Sequence, residues 1–416
     1  MKDQRRIGIV YPYANLDSVP SLVSTAVLLA EHGYLVDFLT HFDSMMFVRP
    51  SFENDRIAVL RDGVSPPGQW PVRAGLVLGW VTVRARLVLG RLMGSLYRLT
   101  VPGRLMPRHR QAPYACLIGV DPEGLVRAHS LLRWLKVPLV YYSLELLLSH
   151  EIRRARDRRL KAREVALSQE AAFVIIQDDE RAALLMRDNH VPPERIITVP
   201  NAPLGPAGVR RTDYLRRKFN LDPDIKIMLQ SGSMDEWAGT RRLIQSVHDW
   251  PDDWVLVCHT RSRSGMLFYN RTVGFEHLIN TGRVLLSTEP IPRREYPDLV
   301  ASADVGVAFY CPQSGNICTQ DNIYHIGLSS GKLAYYLQSG LPVIVNEIPS
   351  LRRLVTTYRC GELVDDPAVT AHAIRRILAD YDAYSRQAAT CFNHEFDFAG
   401  RFEKVLARLD HLIGKG

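Results

Sequence analysis

The stretch RIGIVYPYANLDSVPSLVSTAVLLAEHGYLVDFLT (residues 6–40) decides the fold class. RIGIVYPY (6–13) is a short apolar run that ends in turn residues, the pattern of a buried strand. The spacing that follows predicts a helix from Ser18 to His32, closed by Gly33 where helices favour a left-handed cap. YLVDFLT (34–40) reads as the next strand. Strand, helix and strand at this spacing form a βαβ unit, which implies a parallel sheet.

The alternation resumes further along. ACLIGV (115–120) is a predicted strand, Glu123 to Leu135 a helix, VPLVYYSLEL (137–146) a strand and AAFVIIQ (171–177) another. A helix to His190 and the strand RIITVP (195–200) complete the first half. NAPLGPAG (201–208), rich in Pro and Gly, interrupts the pattern and marks a domain boundary. Beyond it the pattern restarts with IKIMLQS (225–231), a helix near Thr240 to His248, WVLVCHT (254–260), RVLLST (283–288), DVGVAFY (304–310) and LPVIVN (341–346). The last residues, FDFAGRFEKVLARLDHLI, have helical apolar spacing with no strand after them. The expected architecture is α/β, with two Rossmann-like doubly wound domains facing a cleft. Their expected limits are 1–200 and 209–390, with a C-terminal helix over 391–416 that crosses back to the first domain. Open parallel sheets place ligands beyond the C-terminal ends of their strands, so the cleft favours a two-substrate enzyme or a clamp-type binder.

Composition narrows the class. The chain has 416 residues and is 46% apolar and 23% charged, so disorder, collagen and coiled coil do not describe it. Six cysteines without a C-x-x-C pair argue against a disulfide scaffold or zinc ribbon. No uncharged apolar run is long enough to span a bilayer, and the first apolar run is too short for a signal peptide. The expected location is the cytoplasm.

The charge is uneven. Between Gly63 and Val120 there is no Asp or Glu, but there are eight arginines, which account for the whole formal charge of +8. Arg84, Arg91 and Arg98 recur every seven residues, which lines one helical stripe among Trp80 and several leucines. Residues 72–110 therefore read either as a segment lying on an anionic membrane, which would make the protein peripheral on its cytoplasmic face, or as a solvated arginine face. Nucleic acid is not expected as a partner, because no binding motif accompanies the charge. A second basic run, Ile152 to Arg163, is interrupted by acids and reads as an ordinary exposed helix face.

The second half carries a resemblance. SADVGVAFY (302–310), IGLSSGKLAYYLQSGLPVIVNEIPSLRRLV (326–355) and CGELVDD (360–366), with ITVPNAP (197–203) and LQSGSMDEWAGTRRLI (229–244), resemble the nucleotide-sugar-dependent glycosyltransferases of GT-B fold. Within these they are most similar to the large retaining family usually called family 4. The most specific stretch is S-G-K-L-x-x-Y-L-x-x-G-L-P-V-I. The residues support it independently: Gly327, Ser329, Ser330 and Gly331 precede a predicted helix near Lys332. Small residues let backbone approach a ligand, and a helix start with a lysine attracts an anion. Such a site suits a diphosphate on which charge builds as a glycosidic bond breaks.

The resemblance implies a donor site in the second domain, expected at Gly232, Ser233, Arg241, Ser329, Ser330, Gly331 and Tyr335, where Lys332, Arg241 and Arg261 could supply the positive charge of missing family side chains and Tyr335 could replace a carboxylate on the ribose. Asp121 and Glu145 end predicted strands facing the cleft, where a carboxylate can position an acceptor hydroxyl or the sugar or serve as a cap or ion pair; Glu145 also matches the acidic residue of the family's His-Glu element. The product would retain anomeric configuration, with a nucleotide-diphosphate sugar as co-substrate and neither cofactor nor metal. The acceptor would be a saccharide or a lipid-linked group. The chain also departs from the family. The family's two glutamates eight apart fall at Gly327 and Tyr335, its diphosphate-clamping Arg and Lys at Ser233 and Ala238, and the histidine beside Glu145 at Leu144. These departures leave open a catalytically silent subunit of the same fold, and a sugar-nucleotide epimerase is the rival among enzymes. His129, His150 and His325 lack ligand spacing and suggest no metal site.

Overall fold

A computed structural model describes residues 5–40, 50–61, 103–260, 272–314 and 318–414. The first domain carries a sheet of β1 (Arg6–Tyr11), β2 (Leu35–Thr40), β3 (Ile57–Arg61), β4 (Tyr114–Val120), β5 (Leu139–Tyr142), β6 (Val174–Ile176) and β7 (Ile196–Thr198). The second carries β8 (Lys226–Ser231), β9 (Trp254–His259), β10 (Val284–Ser287), β11 (Val305–Ala308), β12 (Val343–Asn346) and β13 (Gly361–Val364). The sheet orders are β3-β2-β1-β4-β5-β6-β7 and β10-β9-β8-β11-β12-β13. Every pairing is parallel. Both sheets are doubly wound, and each reverses its winding direction once, between β1 and β4 and between β8 and β11.

The apolar runs form strands because both faces of each sheet are covered. Ile7 and Ile9 of β1 belong to one buried cluster, while the next residue, Val10, belongs to the cluster on the other face. Two glycines allow close packing at the first reversal. A Cβ on Gly119 would lie 2.5 Å from Leu125 Cα, and one on Gly124 would lie 2.5 Å from the Val10 carbonyl oxygen. The helix Asp121–Leu135 therefore starts directly against β1 and β4. It begins two residues before the expected Glu123, with Pro122 in its first turn.

Two edge strands, β3 and β13, are additions to the sequence reading; each is short and borders only one neighbour. The strand expected over 137–146 is only four residues long. After Tyr142 the chain turns off the sheet, and the Asp121 carboxylate holds the turn by accepting from the N–H groups of Leu144 (2.8 Å) and Glu145 (2.9 Å).

The C-terminal helix Phe398–Leu412 buries Phe398, Phe402, Val405 and Leu409 along one face. It crosses back to the first domain, where Asp410 accepts from the Tyr34 hydroxyl (2.8 Å) and pairs with His32 beyond the helix Pro20–Glu31. Cys391 falls inside the preceding helix, Tyr381–Glu395. The tail is thus two helices, the first packed on the helix Gly331–Gln338 of the second domain.

Arg84, Arg91 and Arg98 lie outside the described residues. Of the same acid-free stretch, Arg108 is engaged inside the first domain. Its guanidinium bonds both oxygens of the fully buried Asp37 (2.6 and 2.7 Å), which also takes Arg6 at 2.8 Å. No helix among the described residues is long and apolar enough to cross a membrane.

Candidate functional site

Ligands of doubly wound sheets bind where the winding reverses, and candidate residues stand at both reversals. Gly232 follows β8 with φ +105°, a conformation that L side chains rarely adopt. Tyr310 stands two residues beyond β11, fixed through its backbone by Asn346, which accepts from Tyr310 N–H (2.7 Å) and donates to its carbonyl (2.6 Å). Across from them, Ser330 caps the helix Gly331–Gln338 by accepting from Leu333 N–H (3.2 Å), and the Tyr310 hydroxyl bonds the same Ser330 Oγ. The Lys332 ammonium lies over the Tyr310 ring (4.9 Å) and the Trp237 ring (5.6 Å), two faces that attract a cation. Its Cε is 4.0 Å from where a Cβ on residue 232 would stand. Gly232, Ser330, Gly331 and Lys332 thus form one corner in which a helix start and a cation meet a side-chain-free turn. Trp237 and Tyr310 were missed from sequence; the aromatic residue ending the DVGVAFY run was the available signal.

The other donor candidates have protein partners. Ser233 Oγ donates to Asp235 Oδ2 (2.6 Å) within its own loop. Arg241 lies over the Phe275 ring (5.0 Å) and donates to the Val273 carbonyl (3.0 Å). Tyr335 is buried edge-on against Tyr296, with centroids 4.8 Å apart, and the Tyr296 hydroxyl bonds Ser231 Oγ at 2.7 Å. Ser329 gives its carbonyl to Asn201 Nδ2 (2.9 Å). Arg261 lies outside the described residues.

Gly327 has a structural reason for carrying no side chain. Its φ is +34°, and a Cβ there would stand 2.7 Å from Asp178 Oδ2, which comes from the first domain. That oxygen accepts from Leu328 N–H (3.1 Å), while Asp178 Oδ1 caps the helix Asp179–Asn189 through Arg181 N–H (2.9 Å). A carboxylate from the opposite domain occupies the space at the family's first glutamate position.

The first domain faces this corner with acids and tyrosines. Asp121, with φ +57°, is buried, and burial followed by the charge of Glu145 holds its carboxyl well above the usual range. Glu145 is open to solvent, yet burial is the first cause raising its carboxyl above the ordinary value. Asn322 Nδ2 donates to Glu145 Oε2 at 2.5 Å. Beneath them Arg181 is fully buried and donates to Gln177 Oε1, the Leu144 carbonyl, the Asn322 carbonyl and Oδ1, and the His325 carbonyl, which joins the two domains. Burial lowers its pKa, and neighbouring Asp178, Glu145 and Asp121 oppose that shift in this order. The phenols of Tyr11 and Tyr13 are held well above their usual value, first by burial and then by Asp121. Asp121 Oδ1 shapes the turn that presents Glu145.

Comparison with known proteins gives a consistent picture of the fold. No protein-family model and no curated protein sequence matches the chain. Among solved structures, sucrose-phosphate synthase from Thermosynechococcus elongatus superposes with a TM-score of 0.68 at 16% identity, covering 99% of this chain and 100% of that one. HepE of Anabaena, in complex with UDP and glucose, gives 0.66 at 14% identity over 98% and 100%. WaaG, a glycosyltransferase involved in lipopolysaccharide biosynthesis, gives 0.61 at 14% identity over 98% and 100%. Two parallel, doubly wound sheets, a cleft with candidate residues at both winding reversals, a terminal helix returning to the first domain and full-length superposition agree: the chain has the GT-B fold of these glycosyltransferases.

Proposed function

We propose that the protein is a glycosyltransferase that moves a sugar from a nucleoside-diphosphate donor to a hydroxyl acceptor. The observation that carries this reading is the corner formed by Gly232, Tyr310, Ser330 and Lys332 at the second winding reversal. As the bond between sugar and diphosphate breaks, negative charge grows on the departing phosphate. A lysine already oriented by two rings, beside a helix start, stabilises that charge with little reorganisation. The nucleotide sugar is the co-substrate, and this chemistry calls for no cofactor or metal in the reaction.

On this reading Glu145 binds the acceptor hydroxyl or the sugar. The product retains anomeric configuration, as the family resemblance implies. Uridine diphosphate is the first donor nucleotide to test, because solved structures of Anabaena HepE contain UDP or UDP-glucose. Residues 72–110 point to an acceptor presented at an anionic membrane, as in surface polysaccharide or glycolipid synthesis. Sedimentation with anionic and neutral liposomes tests that part; equal, negligible binding to both removes it.

The donor reading is tested by thermal-shift measurements with UDP, GDP, ADP, CMP and dTDP. A ligand at a hundred times its Kd stabilises a protein by about 2.7 kcal/mol, enough to raise Tm measurably. One diphosphate should shift the protein, and Lys332→Ala should shrink that shift. Failure of all five favours the second reading, a silent subunit of the same fold. Gly327, Tyr335, Ser233 and Ala238, which replace four family side chains, are the observation behind that alternative.

A further inference from the structure

His150 has no ligand-spaced neighbour along the sequence, but the fold brings one to it. The single turn Ser149–Glu151 of the first domain faces Asp321, the first residue of the short helix Asp321–Tyr324 in the second. His150 Nε2 is 3.1 Å from Asp321 Oδ2, and Glu151 Oε1 accepts from Asp321 N–H at 2.7 Å. His150, Glu151 and Asp321 each place one ligand atom within 4.8 Å of the other two.

A histidine–aspartate ion pair explains the first of these distances but leaves Glu151 unexplained. Glu151 is 9% exposed, and its carboxylate meets the N–H groups of Asp321 and Cys318, fewer donors than its two oxygens can accept. A buried carboxylate short of donors is costly, and the nearby Asp321 adds a second negative charge. A bound cation removes both penalties.

We propose that His150, Glu151 and Asp321 form a binding site for a divalent metal ion of the zinc class that bridges the two domains. One imidazole nitrogen with two carboxylate oxygens suits zinc and its transition-metal neighbours, whereas magnesium and calcium take oxygen ligands. Three protein ligands leave room for water, and the exposed His150 and partly exposed Asp321 side chains give an ion a way in. The ion's role is structural and separate from the transfer reaction. Asp321 precedes Asn322, whose side chain bonds Glu145, Leu146 N–H and Arg181. Fixing Asp321 to the first domain therefore fixes the segment that holds Glu145.

Among the described residues the exposed pair His248 and His277, whose Nε2 atoms are 3.3 Å apart, could compete for zinc. The test is calorimetric titration of chelator-treated, full-length protein with zinc chloride, paired with thermal scans. Saturable binding with a rise in Tm is expected, with no rise from magnesium chloride at equal concentration. His150→Ala and Asp321→Asn should each weaken zinc binding by about tenfold or more, the scale on which losing even a supporting contact acts. His248→Ala should leave it unchanged. No saturable zinc binding, or binding that both ligand variants leave intact, overturns the proposal. So does binding lost only in His248→Ala. His150 is exposed and Asp321→Asn keeps the backbone bond to Glu151, so neither variant should prevent folding.

Discussion

Gly327→Ala tests whether Asp178 is the reason a side chain is absent there. The added Cβ would stand 2.7 Å from Asp178 Oδ2, at a residue whose φ is +34°. The backbone conformation costs a non-glycine residue about 1 kcal/mol. Relieving the collision forces the carboxylate back and breaks its bond to Leu328 N–H, a charge-assisted bond worth about 2 kcal/mol. The substitution should therefore cost about 3 kcal/mol in the native background. In Asp178→Ala the oxygen and its bond are already gone, so only the backbone cost of about 1 kcal/mol remains. Asp178→Ala alone also loses a helix cap, at about 1 kcal/mol, but that cancels in the comparison. Urea denaturation of the four proteins in this cycle should give a coupling of about 2 kcal/mol. Equal costs of Gly327→Ala in both backgrounds, to within about 0.5 kcal/mol, would refute the reasoning. Restoring the family glutamate alone meets the same collision, so Gly327→Glu should destabilise the protein rather than tighten donor binding.

Three further outcomes are expected. Lys332→Ala should weaken binding of the effective nucleoside diphosphate by about tenfold to a hundredfold, the worth of one charge-assisted contact, as read by calorimetry. Arg181→Met should cost about 3–5 kcal/mol by denaturation, because it strips carbonyls in both domains of their shared donor; Arg181→Lys should recover only part, since an ammonium cannot span the same acceptors. Glu145 has a carboxyl raised in the folded state, so its contribution to stability is fully present below the unfolded carboxyl pKa and is lost as pH rises through the raised native value. Glu145→Gln, whose amide oxygen can still accept from Asn322, should remove that loss; Tm profiles of the two proteins that stay parallel across this pH range would count against the shift.

Much of the fold was legible because it rests on local pattern. Apolar runs such as Ile7–Val10 and Val305–Val307 lie between covered faces, and a run of that kind announces itself whatever surrounds it. The edge strands β3 and β13 were not announced, since their pairing is supplied by one neighbour and not by their own composition. Charge was the least reliable guide. The basic run at 152–163 lies mostly on an exposed helix, but Lys161 and, just beyond, Glu164 are buried together 3.1 Å apart, with Asp188 and Asn189 on the lysine and Tyr141 on the glutamate. Arg108 likewise belongs to an acid-free stretch whose buried partner, Asp37, lies far back along the chain. Sequence position says which charges exist and not which of them find partners. The same holds at the site: the glycines, serines and lysine at 327–332 could be seen in order, but their relation to Asp178, Asn201 and Tyr310 could not.

Those relations also bear on the missing diphosphate clamp. The helices Pro20–Glu31 and Gly331–Gln338 begin against one another; a Cβ on Gly331 would stand 3.0 Å from Pro20 Cγ. Asn201 joins the two starts, accepting from Ser21 N–H (3.1 Å) through Oδ1 and donating to the Ser329 carbonyl (2.9 Å). Two helix N-termini carry partial positive charge, each worth about 0.3–1 kcal/mol to a nearby anion. Converging, they repel each other unless something negative lies beside them. Asn201 supplies a dipole on the first-domain side, while Lys332 strengthens the positive end of the other. On the proposed reading the diphosphate is drawn by backbone and lysine together, and this offsets the arginine and lysine replaced at Ser233 and Ala238. It follows that Lys332→Ala should weaken nucleotide binding without abolishing it. Complete loss would mean that the helix starts contribute nothing, and that the lysine alone does the work of the family's clamp.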